Sequence, residues 1–204
     1  KPPATGSHAA GRRAVLLNFT RRVTGDFRRV LLATLFFGAT AGIFLSTLNN
    51  YLAEVHGFDA GHRGWLEFPR ELPGFLIFAV MGILLTRFRE SHIAALAMIF
   101  TGAGAYGLGY LSPTPALLVW WIVIWSLCDH IIFVVEGPLG LKLAKRGGEG
   151  RRLGQLGGAR NLGTILGVSA VWLLAKFVGD RYDLFYMIAG TSAVIAGVFY
   201  LRLK

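Results

Sequence analysis

The residues able to do chemistry lie where a membrane would least accept them. The segment VIWSLCDHIIFVVEGP, residues 123–138, sits inside an apolar run over 117–141 that is long enough to cross a hydrocarbon core. It nonetheless carries Asp129, His130 and Glu136. An ionisable side chain at membrane depth is costly, so it normally faces a protein interior or a water-filled cavity. Asp129 and Glu136 are seven residues apart, two helical turns, which puts them on one face, with His130 one position round from Asp129. Carboxylates beside an imidazole can take up and release a proton near neutral pH, because burial and neighbouring charge both move carboxyl and imidazole affinities. This face is the expected lining of a solute or proton path.

Other polar groups recur at similar depth. WLEFPRELPGF, residues 65–75, sets Glu67, Arg70 and Glu71 at spacings of three and four on one helical face. Such a set can be a locally satisfied cluster near the membrane surface, the charged wall of a cavity, or both. Pro69 and Pro73 bracket it and predict a distorted helix start. Asn49 and Asn50 close the first apolar run, and Arg160 and Asn161 interrupt the fifth. At 1.5 Å rise per residue, Glu136 and Arg160 both lie roughly 8–10 Å from the same end of their helices, and Asp129 roughly 18 Å from that end. Neither Glu136 nor Arg160 would be comfortable alone there, so the two are expected to pair. The cavity candidates are therefore Asn49, Asn50, Glu67, Arg70, Glu71, Asp129, His130, Glu136, Arg160 and Asn161. Acids and bases are both present, so the list alone leaves the charge of a solute open.

Six elements must position these groups. The composition is 54% hydrophobic and only 16% charged, with the apolar residues in long blocks, which implies one all-α membrane domain. We expect spans at about 30–51, 64–86, 91–111, 117–141, 153–178 and 182–201, preceded by a basic arm over 1–29. The piece AVLLNFTRRV in that arm suits a short helix on the headgroups or a solvated tail. Gly38 and Gly42, Gly154 and Gly158, and Gly163 and Gly167 are each four apart, the small-xxx-small spacing of closely packed membrane helices. The net charge of +10 lies mostly in connections, so topology accounts for it better than a nucleic-acid partner does. Cys128 alone can make no internal disulfide. No HExxH or Gly-x-Ser-x-Gly pattern occurs, and no metal or other cofactor is expected, so an intramembrane enzyme is disfavoured. The chain opens on Lys1 rather than methionine, as a fragment of a longer protein would.

Six spans, a very short third connection (Ser112 to Pro115) and a long basic fourth one resemble half of a major facilitator superfamily transporter. GEGRRLGQLGGARNLGTILG, residues 148–167, is similar to that superfamily's entry into its fifth helix. The stretch from Gly82 to Glu90 has the frame of its signature loop G-x-L-x-D-R-x-G-R. Gly82, Leu84 and Arg87 agree, while Thr86 replaces the acid and Arg89 the second glycine. The resemblance implies a gating loop at Gly82, Thr86, Arg87 and Arg89, inverted repeats of three helices each, and alternating access about a central cavity. It further implies a second six-helix half, elsewhere in the same chain, as partner. The basic arm favours the N-terminal half. The expected function is therefore half of a secondary active transporter for a small solute, with proton coupling as the form that Asp129 and His130 suggest. A six-span channel or self-associating membrane protein is the alternative.

Lys and Arg concentrate in the arm, at Arg87 and Arg89, in the connection around Lys142 to Arg152, and at Arg202 and Lys204; the opposite side holds Arg63, Lys176 and Arg181. The positive-inside rule then places both ends in the cytoplasm of a cell inner or plasma membrane. Cysteines placed at Gly61 and Thr114 should react with an impermeant maleimide on intact cells, and ones at Ser91 and Gly148 only after permeabilisation. The reverse pattern would invert the orientation.

Overall fold

The computed structural model describes residues 6–203, with side chains from Gly25 onward except Phe78. Lys1 and the side chains of AVLLNFTRRV, with the question of how that piece meets a membrane, lie outside the described residues. The described chain is helical throughout, without strands: α1 (Gly6–Glu54), α2 (Ala60–Arg87), α3 (Glu90–Tyr110), α4 (Pro115–Lys142), α5 (Glu149–Val178) and α6 (Tyr182–Leu201). Five helices are long and apolar enough to cross a membrane by themselves, and α2 makes a sixth when its two bent parts are taken as one span. This is an all-helical protein built for multiple membrane crossings.

Boundaries follow local chemistry. Asp59 caps α2, accepting from the His62 amide and lying 2.8 Å from the His62 ring, and these contacts hold its carboxyl below the usual range. Thr114 caps α4, with Pro115 in the first turn where its missing N–H costs nothing. Gly179, at φ +79°, ends α5 in a conformation that side chains disfavour. The structure corrects three expectations. α1 begins well before residue 30, so the described part of the basic arm, from Gly6, and the first span are one continuous helix. α2 runs unbroken through Pro69 and Pro73, and its 48° bend falls later, between Ala60–Ile77 and Ala79–Arg87. Gly154 and Gly158 face open space rather than a packed neighbour.

Packing is carried by backbone contact. α1 lies on α5 and α6, α4 on α2 and α3, and α3 on α6. On α1, Thr34, Gly38 and Gly42 form one stripe. A Cβ added at Gly38 would lie 2.2 Å from the Arg160 carbonyl oxygen, and one at Gly42 would lie 2.3 Å from that of Thr164. Gly163 and Gly167 repay the contact, 2.0 Å from the Leu35 oxygen and 2.2 Å from that of Ala39. Two helices can approach this closely only where both lack side chains. Apolar side chains gather in two clusters, one around Phe37, Met98, Ile132 and Tyr200, the other around Phe44, Leu108, Trp125 and Tyr186. The polar groups named above lie alongside these clusters, on α1, α2, α4 and α5.

Replacing Gly163 with Ala should force α1 and α5 apart and cost about 1–3 kcal/mol, as overpacking does. Gly158→Ala, with nothing within 4 Å of the added Cβ, should leave stability unchanged or raised. Thermal unfolding of both variants in detergent distinguishes them, and equal losses would refute the seam.

Candidate functional site

Glu136 is a deeply buried ion. The residue is 5% exposed, inside the apolar second half of α4. One carboxylate oxygen accepts from Thr34 Oγ1 at 2.5 Å, and the other takes the Arg160 guanidinium in a direct ion pair. The guanidinium lies over two aromatic rings, 5.0 Å from the Phe37 centroid and 4.7 Å from that of Phe133. Those faces supply further attraction to a partly desolvated cation. Three helices meet here, and the glycine seam decides how. Thr34 stands one turn before Gly38, and Gly38 touches the backbone of Arg160 itself.

A second cluster joins α2 to α4. Arg70 pairs with Glu67 through Nε at 2.9 Å and reaches Glu71 Oε1 at 2.9 Å. Glu71 in turn lies 3.5 Å from His130 Nε2. His130 Nδ1 is 2.8 Å from the Ser126 carbonyl oxygen, whose contact suits a ring N–H donor, and Ser126 Oγ donates to the Arg70 carbonyl at 2.5 Å. Gly74 makes room for the ring, since a Cβ there would lie 2.6 Å from Nε2. His130 therefore turns toward α2 and Glu71 rather than toward Asp129.

Between these clusters a cleft of about 360 Å³ opens among α1, α2, α4 and α5, a volume within the roughly 300–1,000 Å³ range of small-molecule sites. Asn49, Glu67, Arg70, Asp129 and Thr164 supply its polar lining. Leucines of α1 and α2 and the stacked pair Phe44–Trp125, centroids 4.0 Å apart, make its apolar wall. Asp129 directly precedes His130 in the chain and shares the cleft lining with Glu67 and Arg70. Among the described residues no side chain makes a hydrogen bond or ion pair with it. A second groove of about 400 Å³, between α2, α3 and α4, is lined by apolar side chains and His92 and offers nothing to orient a polar solute.

The structure thus gathers Asn49, Glu67, Arg70 and Asp129 at one cleft, sets Glu71 and His130 behind it, and buries Glu136 with Arg160 beside it. Asn50 and Asn161 are exposed and outside the cleft lining. Gly82, Thr86, Arg87 and Arg89 are exposed at the end of α2 and the link to α3, with Thr86 Oγ1 bonded to the Ile83 carbonyl. In the next helix Glu90 pairs with Lys142. Sequence reasoning missed Thr34, Ser126 and the aromatic faces of Phe37, Phe133, Phe44 and Trp125. Hydroxyls and aromatics are ordinary in apolar helices, and these contacts join residues far apart in sequence. Among the described residues no group of three or more His, Cys, Asp or Glu is arranged to hold a metal ion. No protein-family model matches the chain, and no curated protein matches it.

Removing one partner of a buried pair leaves an uncompensated charge and costs about 3–5 kcal/mol. Since the Arg160 side chain is 25% exposed, Glu136→Gln and Arg160→Gln should each fall at the lower end of that range. The double variant should lose clearly less than the sum of the two. A double-mutant cycle on unfolding in detergent measures this, and strictly additive losses would dissolve the pair.

Proposed function

We propose that the chain is one six-helix half, the N-terminal one, of a secondary transporter of the major facilitator type, moving a small solute by alternating access. The observation that carries this reading is the cleft among α1, α2, α4 and α5. It is a solute-sized space at membrane depth, bordered by two carboxylates and a guanidinium that have no place in lipid. Helix pairing supports the inverted repeat. Exchanging α1 with α4, α2 with α5 and α3 with α6 turns the α1–α5 contact into α4–α2 and the α1–α6 contact into α4–α3, and leaves α3–α6 as it is. On α5 only Leu156, Gly163 and Gly167 are buried, and Trp65, Phe68, Phe75 and Leu76 of α2 are exposed. These are the faces a second half would cover across the cleft. They would equally suit a second copy of the chain, the self-associating alternative, which a stable homo-oligomer in detergent would favour.

In this reading both chain ends are cytoplasmic, and the Glu136–Arg160 pair closes the cytoplasmic side in one state. Asp129, exposed to the cleft, carries the coupling proton. Asp129→Asn should then abolish gradient-driven accumulation in proteoliposomes of the full protein without impairing its folding. Normal accumulation by a folded Asp129→Asn protein would remove the coupling role.

A further inference from the structure

Charge around the cleft is unbalanced, and the imbalance says what the cleft would hold. Arg70 is engaged by two carboxylates, Glu67 and Glu71. Arg160 is engaged by Glu136 and enclosed by Phe37 and Phe133. Both guanidiniums are thus spoken for within the protein. Four carboxylates face two guanidiniums, and the remaining nearby titratable group, His130, is occupied by Ser126 and Glu71. The carboxylate left over is Asp129, which lines the cleft without a hydrogen bond or ion pair of its own among the described residues.

From this geometry we infer that the cleft binds an organic cation, an amine or quaternary ammonium with an apolar body, and that Asp129 is its counter-ion. The inference rests on the transport reading above for the identity of the site and adds the class of solute. Trp125 stands one turn before Asp129 on α4, and with Phe44 it forms the wall beside the carboxylate. Apolar surface next to a single acid matches a cation with a hydrophobic group. An anionic solute would meet Asp129 and Glu67 directly, and the one cation in the lining, Arg70, is already neutralised. A strongly polar neutral solute such as a sugar would leave the charge of Asp129 unanswered and set its hydroxyls against a mostly apolar wall. In a partly desolvated site a buried ion pair discriminates by charge more sharply than it would in water.

Three compounds of nearly one shape test this on the full protein in detergent by equilibrium dialysis: phenyltrimethylammonium, N,N-dimethylaniline at a pH where it is uncharged, and benzoate. The unmodified protein should bind the ammonium saturably, and at least tenfold more tightly than either of the others. Asp129→Asn should remove that preference, and Asp183→Asn, in the first turn of α6 and paired with Arg181, should keep it. Equal or tighter binding of benzoate by the unmodified protein overturns the inference without need of any variant, as does an unchanged preference in a folded Asp129→Asn protein. Failure of the two readings is separable. Charge-selective binding without flux would sink transport and keep the cation site, whereas saturable flux of anions would keep transport and sink the cation site.

Discussion

The constraint on which the rest depends is that Glu136 must not be left alone. A carboxylate inside an apolar helix is tolerated only when its charge is answered and its lone pairs are used. Arg160 answers the charge, and Thr34 uses a lone pair. Those two groups come from α5 and α1, so the requirement ties three helices together at one level. The α1–α5 glycine seam makes it geometrically possible, because a side chain at Gly38 would drive away the very turn that carries Arg160. Packing and electrostatics are here one arrangement: backbone contact sets the guanidinium in place, and aromatic faces of Phe37 and Phe133 enclose it.

With Arg160 consumed by Glu136, and Arg70 held between Glu67 and Glu71, neither cation is spare for Asp129. Asp129 is set apart from Glu136 not by helical face but by what the neighbouring helices bring. Glu136 meets Thr34 of α1 and Arg160 of α5 directly, whereas Asp129 borders the cleft among α1, α2, α4 and α5. Two carboxylates on one face of α4 thereby acquire different surroundings, one held in a buried ion pair and one lining the cleft. The His130 ring, turned toward α2, braces the α2–α4 contact through Ser126 and Glu71.

The exposed apolar surface has the same logic. α3 and α6 pack on each other and on α4 and α1, and bury much of their length. α2 and α5 each hold one face against α4 or α1 and leave the other uncovered. The bend of α2 lets its two parts follow different directions past the cleft. α2 and α5, which carry this exposed apolar surface, are two of the four helices that border the cleft.

The sequence by itself determined the class of structure. Apolar blocks of membrane-spanning length can satisfy their backbone only as helices, so the all-helical class and the run of long apolar helices were legible from composition and periodicity. It also carried the pairing of Glu136 with Arg160, because two opposite charges at equal depth from one end have few other partners. Close approach at Gly163 and Gly167 was legible too. Gly154 and Gly158 show the limit, since the same spacing occurs there without a neighbour. Spacing states which residues share a face, and tertiary structure alone states what that face meets. The bend of α2 beyond its prolines, the third partner Thr34, the turning of His130 toward Glu71, and the isolation of Asp129 were decided there. Each depends on contacts between distant segments, and no local pattern encodes which helices lie side by side.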